Sequence, residues 1–399
     1  MKRSTIPVLL AAGALALAAC GSSNNSSGSS TNTTAGSGSS GGGASATTAS
    51  GGGSATTTAP SSATTAPETA PVVHAAITLR EDGSSLLFPY LEQVAGAFHK
   101  ANPKIAVNTG AGGSGLGISD AAAGNTSFGG SDAYLSSTDT SQYQGLINIP
   151  VAVSSQAVDY NVPGVKNLKL NGAVLDGMYT GSITNWDDSA IAKLNPGVHL
   201  PNLKVAPIHR VDSSGDTFLF TGFLSATNPS TWGTKIGQNT SVTWPSVATA
   251  QSASGNPGMV QAAAKTKGAV AYIGISAQSD ALKAGLKEAM LQNRAGKFVQ
   301  PNTATVESAV ANTTKVPSNL AVSLLYAPGA NSYPIVNFEY IIVEKNQKSA
   351  TQAGAIRSFL SYVINPKGGS SPTNLAADQF HALPMSVVGK VKAAIASIK

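Results

Sequence analysis

The sequence predicts an α/β fold built as two lobes, preceded by a segment with no means to fold. Three observations support this. From Ile77 onward, strand, loop and helix patterns alternate to the end of the chain, as expected of βα units. Residues 72–399 are enough chain for two such units. Residues 21–67 hold only Gly, Ser, Thr, Asn, Ala and Pro, so they cannot bury the apolar surface that offsets chain entropy.

The elements follow from the spacing of apolar residues. Residues 76–79 read as a short strand, followed by a turn at Gly83-Ser84-Ser85. Residues 90–100 place Leu91, Val94, Ala95 and Phe98 on one helical face, and Pro103 stops that helix. Residues 105–108 read as a strand, 110–115 as a Gly-rich loop, 118–123 as a helix and 128–131 as a short strand. Residues 147–160 form a long apolar β-type run. Strand patterns recur at 204–209, 269–273 and 335–343, and helical ones at 217–224, 258–266 and 353–363. The alternation argues for mainly parallel sheets.

The N-terminus reads as an address. Lys2 and Arg3 precede an apolar run from Ile6 to Ala19, shorter than the roughly 20 residues a permanent membrane helix needs. The run ends Leu17-Ala18-Ala19-Cys20-Gly21, the pattern of a bacterial lipoprotein signal in which Cys20 becomes the lipidated first residue. The alternative is an ordinary signal peptide with an incidental Cys. Residues 21–71 then form a disordered linker, a coil spanning about 40 Å. Cys20 is the single Cys of the chain, which excludes an internal disulfide and a Cys-based zinc site. Only 11% of residues are charged. Without Lys2 and Arg3, 23 basic residues face 19 acidic ones, a charge of +4. No Lys/Arg cluster occurs, so nucleic acid is not an expected partner.

Candidate chemistry gathers where loops enter helices. Gly83-Ser84-Ser85-Leu86, Gly113-Ser114-Gly115 and Ser213-Ser214-Gly215-Asp216-Thr217 share one design. Each offers uncrowded backbone N–H groups and a hydroxyl at a helix N-terminus, which suits an anion. Any one of them could equally be a simple Ser cap. Arg210, just before the third loop, can grip an oxyanion through parallel donors, and Asp212 can pin it. A surface ion pair is the alternative at that spacing. None of the loops has the spacing of a nucleotide-binding P-loop. Asp132, after Gly129-Gly130-Ser131, is odd beside an anion site unless the anion still carries a proton. Phosphate does and a fully ionised sulfate does not. Asp132 could also merely cap a turn.

At these residues the chain resembles the substrate-binding lipoproteins of the bacterial ABC-type phosphate uptake system, the PstS family, and looks most like actinobacterial members. The resemblance covers residues 76–399. It is marked by the loops just quoted and by Ile183-Thr184-Asn185-Trp186-Asp187, Leu194-Asn195-Pro196-Gly197, Gly268-Ala269-Val270-Ala271-Tyr272-Ile273 and Tyr333-Pro334-Ile335. It implies a periplasmic-binding-protein-like fold of type II, with two hinge-linked α/β lobes and a ligand cleft. Lobe 1 would be about 76–158 plus 334–399 and lobe 2 about 159–333, with crossings near 157–162 and 332–337. It implies inorganic phosphate as ligand, an ABC-type permease as partner, and a monomer lipid-anchored outside the cytoplasm, without catalysis, cofactor or metal. The family's contacts carry over to Ser85, Leu86, Ser114, Asp132, Arg210, Ser214, Gly215 and Asp216, with Asp212 orienting Arg210. Two positions depart from the commonest pattern. Ser213 stands where Gly is usual, and Asp216 where Thr is often found, so only the Asp216 amide carries over directly. The alternatives are a receptor for another oxyanion, a ligand-free adhesin, or a phosphatase-type enzyme. The last lacks a Gly-x-Ser-x-Gly elbow around Ser214 and metal-ligand spacing, and only His209 lies near a candidate loop.

Overall fold

The computed structural model describes residues 75–313 and 315–399. The expected signal peptide, linker and Cys20 anchor lie outside these. The chain begins with β1 (Ile77–Gly83), α1 (Phe88–Ala101), β2 (Ile105–Asn108), α2 (Ser114–Ala123) and β3 (Phe128–Ser131). These are two βα crossovers, and β1 pairs in parallel with β2 and β3. After α3 (Ser137–Gln142) comes β4 (Leu146–Asn161), a strand of 16 residues buried along nearly its whole length. Cover on both faces explains its long, largely apolar run.

The second lobe follows as one continuous stretch. It holds β5 (Lys169–Leu170), α4 (Gly172–Thr180), α5 (Ser189–Leu194), β6 (Ala206–Arg210), α6 (Gly215–Thr227), β7 (Gln251–Ala253), α7 (Gly255–Lys265), β8 (Ala269–Gly274), α8 (Gln278–Lys283), β9 (Lys287–Glu288), β10 (Met290–Gln292), β11 (Phe298–Val299) and α9 (Thr303–Ala311). The chain then returns through β12 (Val336–Glu344) and closes with α10 (Ala350–Val363), α11 (Pro372–Ala377) and α12 (Met385–Ala396).

One sheet runs through both lobes in the order β2-β1-β3-β12-β4-β8-β6-β7, with β9 also pairing β4. β4 joins the halves. Its residues Leu146–Ser155 pair with β12, and Gln156–Asn161 pair with β8. The sheet is mixed rather than mainly parallel, which corrects the expectation. β12 is antiparallel to β3 and β4, and β4 is antiparallel to β8. Parallel pairing needs a crossover between the two strands. β4 and β12 instead lie inside the sheet as the strands that link the lobes. A small sheet of β11, β10 and β5 lies apart from it.

Aromatic side chains fill both cores. Phe359 of α10 stacks on Phe128 at 5.6 Å and meets Phe98 of α1 edge-on at 5.3 Å. In the second lobe Phe220 stacks on Tyr272 at 4.6 Å and packs against Tyr179 at 4.7 Å. No helix among the described residues is long and apolar enough to cross a membrane.

Candidate functional site

The sheet brings the ends of β1, β3 and β6 to one place, each followed by a loop that opens a helix. The helices of the molecule start in two ways. α3, α4, α5, α9, α10 and α11 each begin with a side chain accepting a first-turn amide. α1, α2, α6 and α7, around the cleft, begin with no side-chain cap, as do α8 and α12. At α2 and α7 first-turn N–H groups instead find acceptors around the cleft: Gly115 donates to Ser213 O at 3.0 Å, Gly255 to Asp212 Oδ1 at 3.2 Å and Asn256 to Ser85 Oγ at 3.2 Å. The missing cap at α6 removes the simple-cap alternative for Ser214. Its hydroxyl is buried and hydrogen-bonded to nothing among the described residues.

From the first lobe come Ser84, Ser85, Ser114 and Asp132, all buried. Asp132 is the focus. Ser84 Oγ donates to its Oδ1, and Ser114 Oγ lies 3.4 Å from its Oδ2. Ser114 Oγ also accepts the Asp132 amide at 3.1 Å. The Leu86 amide, expected to face the ligand, instead donates to Ser84 Oγ at 3.0 Å. The Ser84 side chain folds back over its own turn as an ST-motif does.

From the second lobe come Arg210, Asp212 and the start of α6. Arg210 is buried, with carboxylates on both sides. Nε donates to Asp212 Oδ1 at 2.8 Å, Nη2 donates to Asp212 Oδ2, and Nη1 donates to Asp216 Oδ2 at 2.8 Å. The Arg210–Asp212 pair is therefore internal, not a surface ion pair. The Asp216 departure is also explained. Its carboxylate holds Arg210 and accepts from Gln156 Nε2 at 2.9 Å and Asn256 Nδ2 at 2.8 Å.

Two carboxylates thus hold the guanidinium while a third, Asp132, feels its charge, and burial acts on all four groups. Burial and the nearby Asp216 push Asp132 up to about 6, against its hydrogen bonds. Burial raises Asp216 too, although Arg210 opposes this. Burial works against the Arg210 charge, but Asp212 and Asp216 more than offset it and hold its pKa above the ordinary value. Burial likewise raises Asp212, but the Arg210 hydrogen bond prevails and keeps it below the usual carboxylate range.

The lobes meet across this cluster. The Gly115 amide donates to Ser213 O at 3.0 Å, and Ser276 Oγ donates to Leu86 O at 2.8 Å. A Cβ on Gly215 would fall 2.3 Å from Asp132 Oδ2 and 2.4 Å from Ser114 Oγ. Only glycine lets α6 come this close to the first lobe.

Two residues of the cluster escape sequence reasoning. Asn256 reaches Ser85 Oγ through its amide at 3.2 Å and Nδ2 at 3.3 Å. Its signal was present, because Ser254-Gly255-Asn256 is a fourth loop of the same design. The helix after it, read as beginning at Gly258, begins at Gly255. Glu339, from β12, lies under Asp132 and has no local signal. His209 stacks on Trp244 at 4.9 Å, and its Nδ1 lies 3.2 Å from Arg210 O. Burial lowers its pKa, more than the Arg210 carbonyl raises it.

Comparison with known proteins gives a consistent result. A family model described as a PBP superfamily domain matches residues 26–367. A Methanocaldococcus jannaschii protein named phosphate-binding protein PstS is 32% identical over 323 residues, covering 76% of this chain and 82% of that one. The Mycobacterium bovis phosphate-binding protein PstS3 is 30% identical over 334 residues, covering 80% and 86%. Among solved structures, a phosphate-binding protein from Stenotrophomonas maltophilia superposes with a TM-score of 0.62 at 22% identity, covering 80% of this chain and 94% of that one. That likeness establishes the two-lobed fold. The buried acidic acceptor, the uncapped helix starts and these relatives agree, and the chain belongs to the PstS family of phosphate-binding proteins.

Proposed function

We propose that this protein is a non-catalytic receptor that binds inorganic phosphate between its lobes and passes it to an ABC-type permease. In this reading Cys20 carries the lipid that holds the protein, as a monomer, on the extracytoplasmic face of the membrane. Residues 1–20 hold the lipoprotein signal, cleaved ahead of Cys20, and 21–71 are the leash. Phosphate would be held by Ser85, Ser114, Asp132, Arg210, Ser214 and the first-turn amides of Gly215 and Asp216. The Leu86 amide would join them once Ser84 turns away.

The observation that carries the reading is Asp132, a buried acceptor in the middle of an anion-type cleft. The cleft has more acidic than basic side chains, so net positive charge cannot be its means of binding. Donors aimed at the ligand and an acceptor for the ligand's own proton suit phosphate. They reject an anion with no proton, which leaves Asp132 facing an oxyanion without a hydrogen bond. A leaving group would need an acid, and among the described residues no imidazole is hydrogen-bonded to Ser85, Ser114 or Ser214. Hinge closure over the ligand follows the known repertoire of such folds.

Isothermal titration with phosphate and with sulfate tests this. Phosphate is expected to bind much more tightly, and equal affinities, or no phosphate binding, would refute the reading. Asp132→Asn removes the charge and replaces one of the two acceptor oxygens by a donor. The preference for phosphate over sulfate is expected to fall by about tenfold or more, since an unpaired buried polar group costs about 1–3 kcal/mol. Unchanged selectivity would remove Asp132 from its role.

A further inference from the structure

Behind Asp132 lies a second carboxyl that the binding role does not use. Glu339 is fully buried in the middle of β12. Asn337 and Glu339 are two residues apart, so they share one face of the sheet, and both reach Asp132. Asn337 Nδ2 donates to the Asp132 carbonyl oxygen. The Glu339 carboxyl lies beside the Asp132 side chain, near enough for each to act on the charge of the other. The sheet aims it there. The pairing of β12 with β4 shifts between Glu339, opposite Ala152, and Tyr340, opposite Pro150. Pro150 has no N–H for the ladder, and such irregularities re-aim side chains.

Ser154 Oγ donates to Glu339 Oε1. No N–H or hydroxyl donates to Oε2 among the described residues. Two carboxyls side by side in a dry interior cannot both ionise. One proton between them turns repulsion into a hydrogen bond. That proton belongs on Glu339. Asp132 has the Ser84 and Ser114 hydroxyls as further donors, and Arg210 favours its charge. Glu339 has one hydroxyl donor, and burial, with Asp132 beside it, holds its carboxyl well above the usual range. The other groups acting on the pair are Asp216 of α6, Arg210 of β6 and Tyr340 of β12.

We propose that Glu339 is a positioning residue, a buried carboxylic acid that donates its proton to Asp132 and so fixes Asp132 as an anionic acceptor without adding charge to the cleft. Its consequence for ligand choice rests on the phosphate reading above, whereas the place of the proton does not. Glu339→Gln keeps a donor for Asp132 and an acceptor for Ser154. This variant is expected to bind phosphate within about threefold of the wild type between about pH 6 and 8, with its preference over sulfate intact. Glu339→Leu removes the donor. Phosphate affinity is expected to drop about tenfold or more near pH 6, where Asp132 now takes up a proton, and to recover as pH rises. Infrared difference spectra of wild type against Glu339→Gln, taken without ligand at neutral pH, should show the carbonyl band of a protonated carboxyl in the wild type. The proposal is overturned if that band is absent, if Glu339→Gln binds phosphate about tenfold more tightly than the wild type, or if Glu339→Leu leaves affinity, pH profile and selectivity unchanged. Failure of the wild type to bind phosphate would sink the phosphate reading alone, since the infrared band still decides where the proton sits.

Discussion

Replacing Arg210 with methionine should destabilise the protein by about 3–5 kcal/mol, the usual consequence of breaking a buried ion pair from one side. The side chains of Arg210 and Asp216 are each 1% exposed, and that of Asp212 is 14% exposed. Without the guanidinium, Asp216 keeps only its bonds from Gln156 and Asn256, and Asp212 keeps little beyond the Gly255 amide at 3.2 Å. The pH dependence has a definite sign. Burial already raises Asp216 above its ordinary value despite Arg210. Removing the cation raises it further, so the folded state holds protons that the unfolded state has lost. Stability then falls as pH rises through that window. Urea denaturation should therefore show a larger loss at about pH 8 than at about pH 5. An equal loss at both would mean that the Asp216 charge is not what Arg210 balances. Phosphate affinity should also fall sharply, but the pH trend of the ligand-free protein is the discriminating measurement.

Adding one methyl at Gly215 should strike binding while sparing the fold. The new Cβ would meet Asp132 and Ser114 of the opposite lobe at 2.3–2.4 Å, so the clash exists only when the lobes are together. Overpacking of this kind costs about 1–3 kcal/mol, which as a closure penalty weakens phosphate binding roughly 5- to 150-fold. Melting curves provide the check. Gly215→Ala should melt close to the wild type without ligand, but gain much less from added phosphate. A full ligand-induced shift would show that α6 need not approach Asp132 this closely.

How far the sequence foretold the structure depended on how local the cause was. β2 and β3 begin and end where their apolar runs do, at Ile105–Asn108 and Phe128–Ser131. β4 was readable because cover on both faces leaves a long, largely apolar run. The directions of β4 and β12 were not, since an apolar run says nothing about which strand lies beside it. The short helices α4, α5, α9 and α11 start at Asn or Ser/Asp caps and lack the long apolar stripe that marks α1. At the cleft, Ser85, Ser114, Asp132 and Arg210 stood out because each sits in, or for Arg210 just before, a glycine- or serine-rich turn. Glu339 is the one acidic residue inside a mostly apolar strand that ends at Glu344. Its meaning comes only from Asp132, about 200 positions away in sequence. The role of Asp216 was hidden for a related reason, because the loop announces a donor while the folded side chain faces Arg210.

The sheet order also governs how the chain must assemble. β12 sits between β3 and β4, yet it begins 205 residues after β3 ends and 175 after β4 ends. The second lobe is one continuous stretch and can close as soon as it is synthesised. The first lobe cannot, because two of its strands wait with unpaired edges for the last quarter of the chain. Such edges invite pairing with other chains. The strand that carries Glu339 under Asp132 is thus also the one whose late arrival ends this exposure, so the architecture that builds the cleft makes the N-terminal lobe the last to be completed.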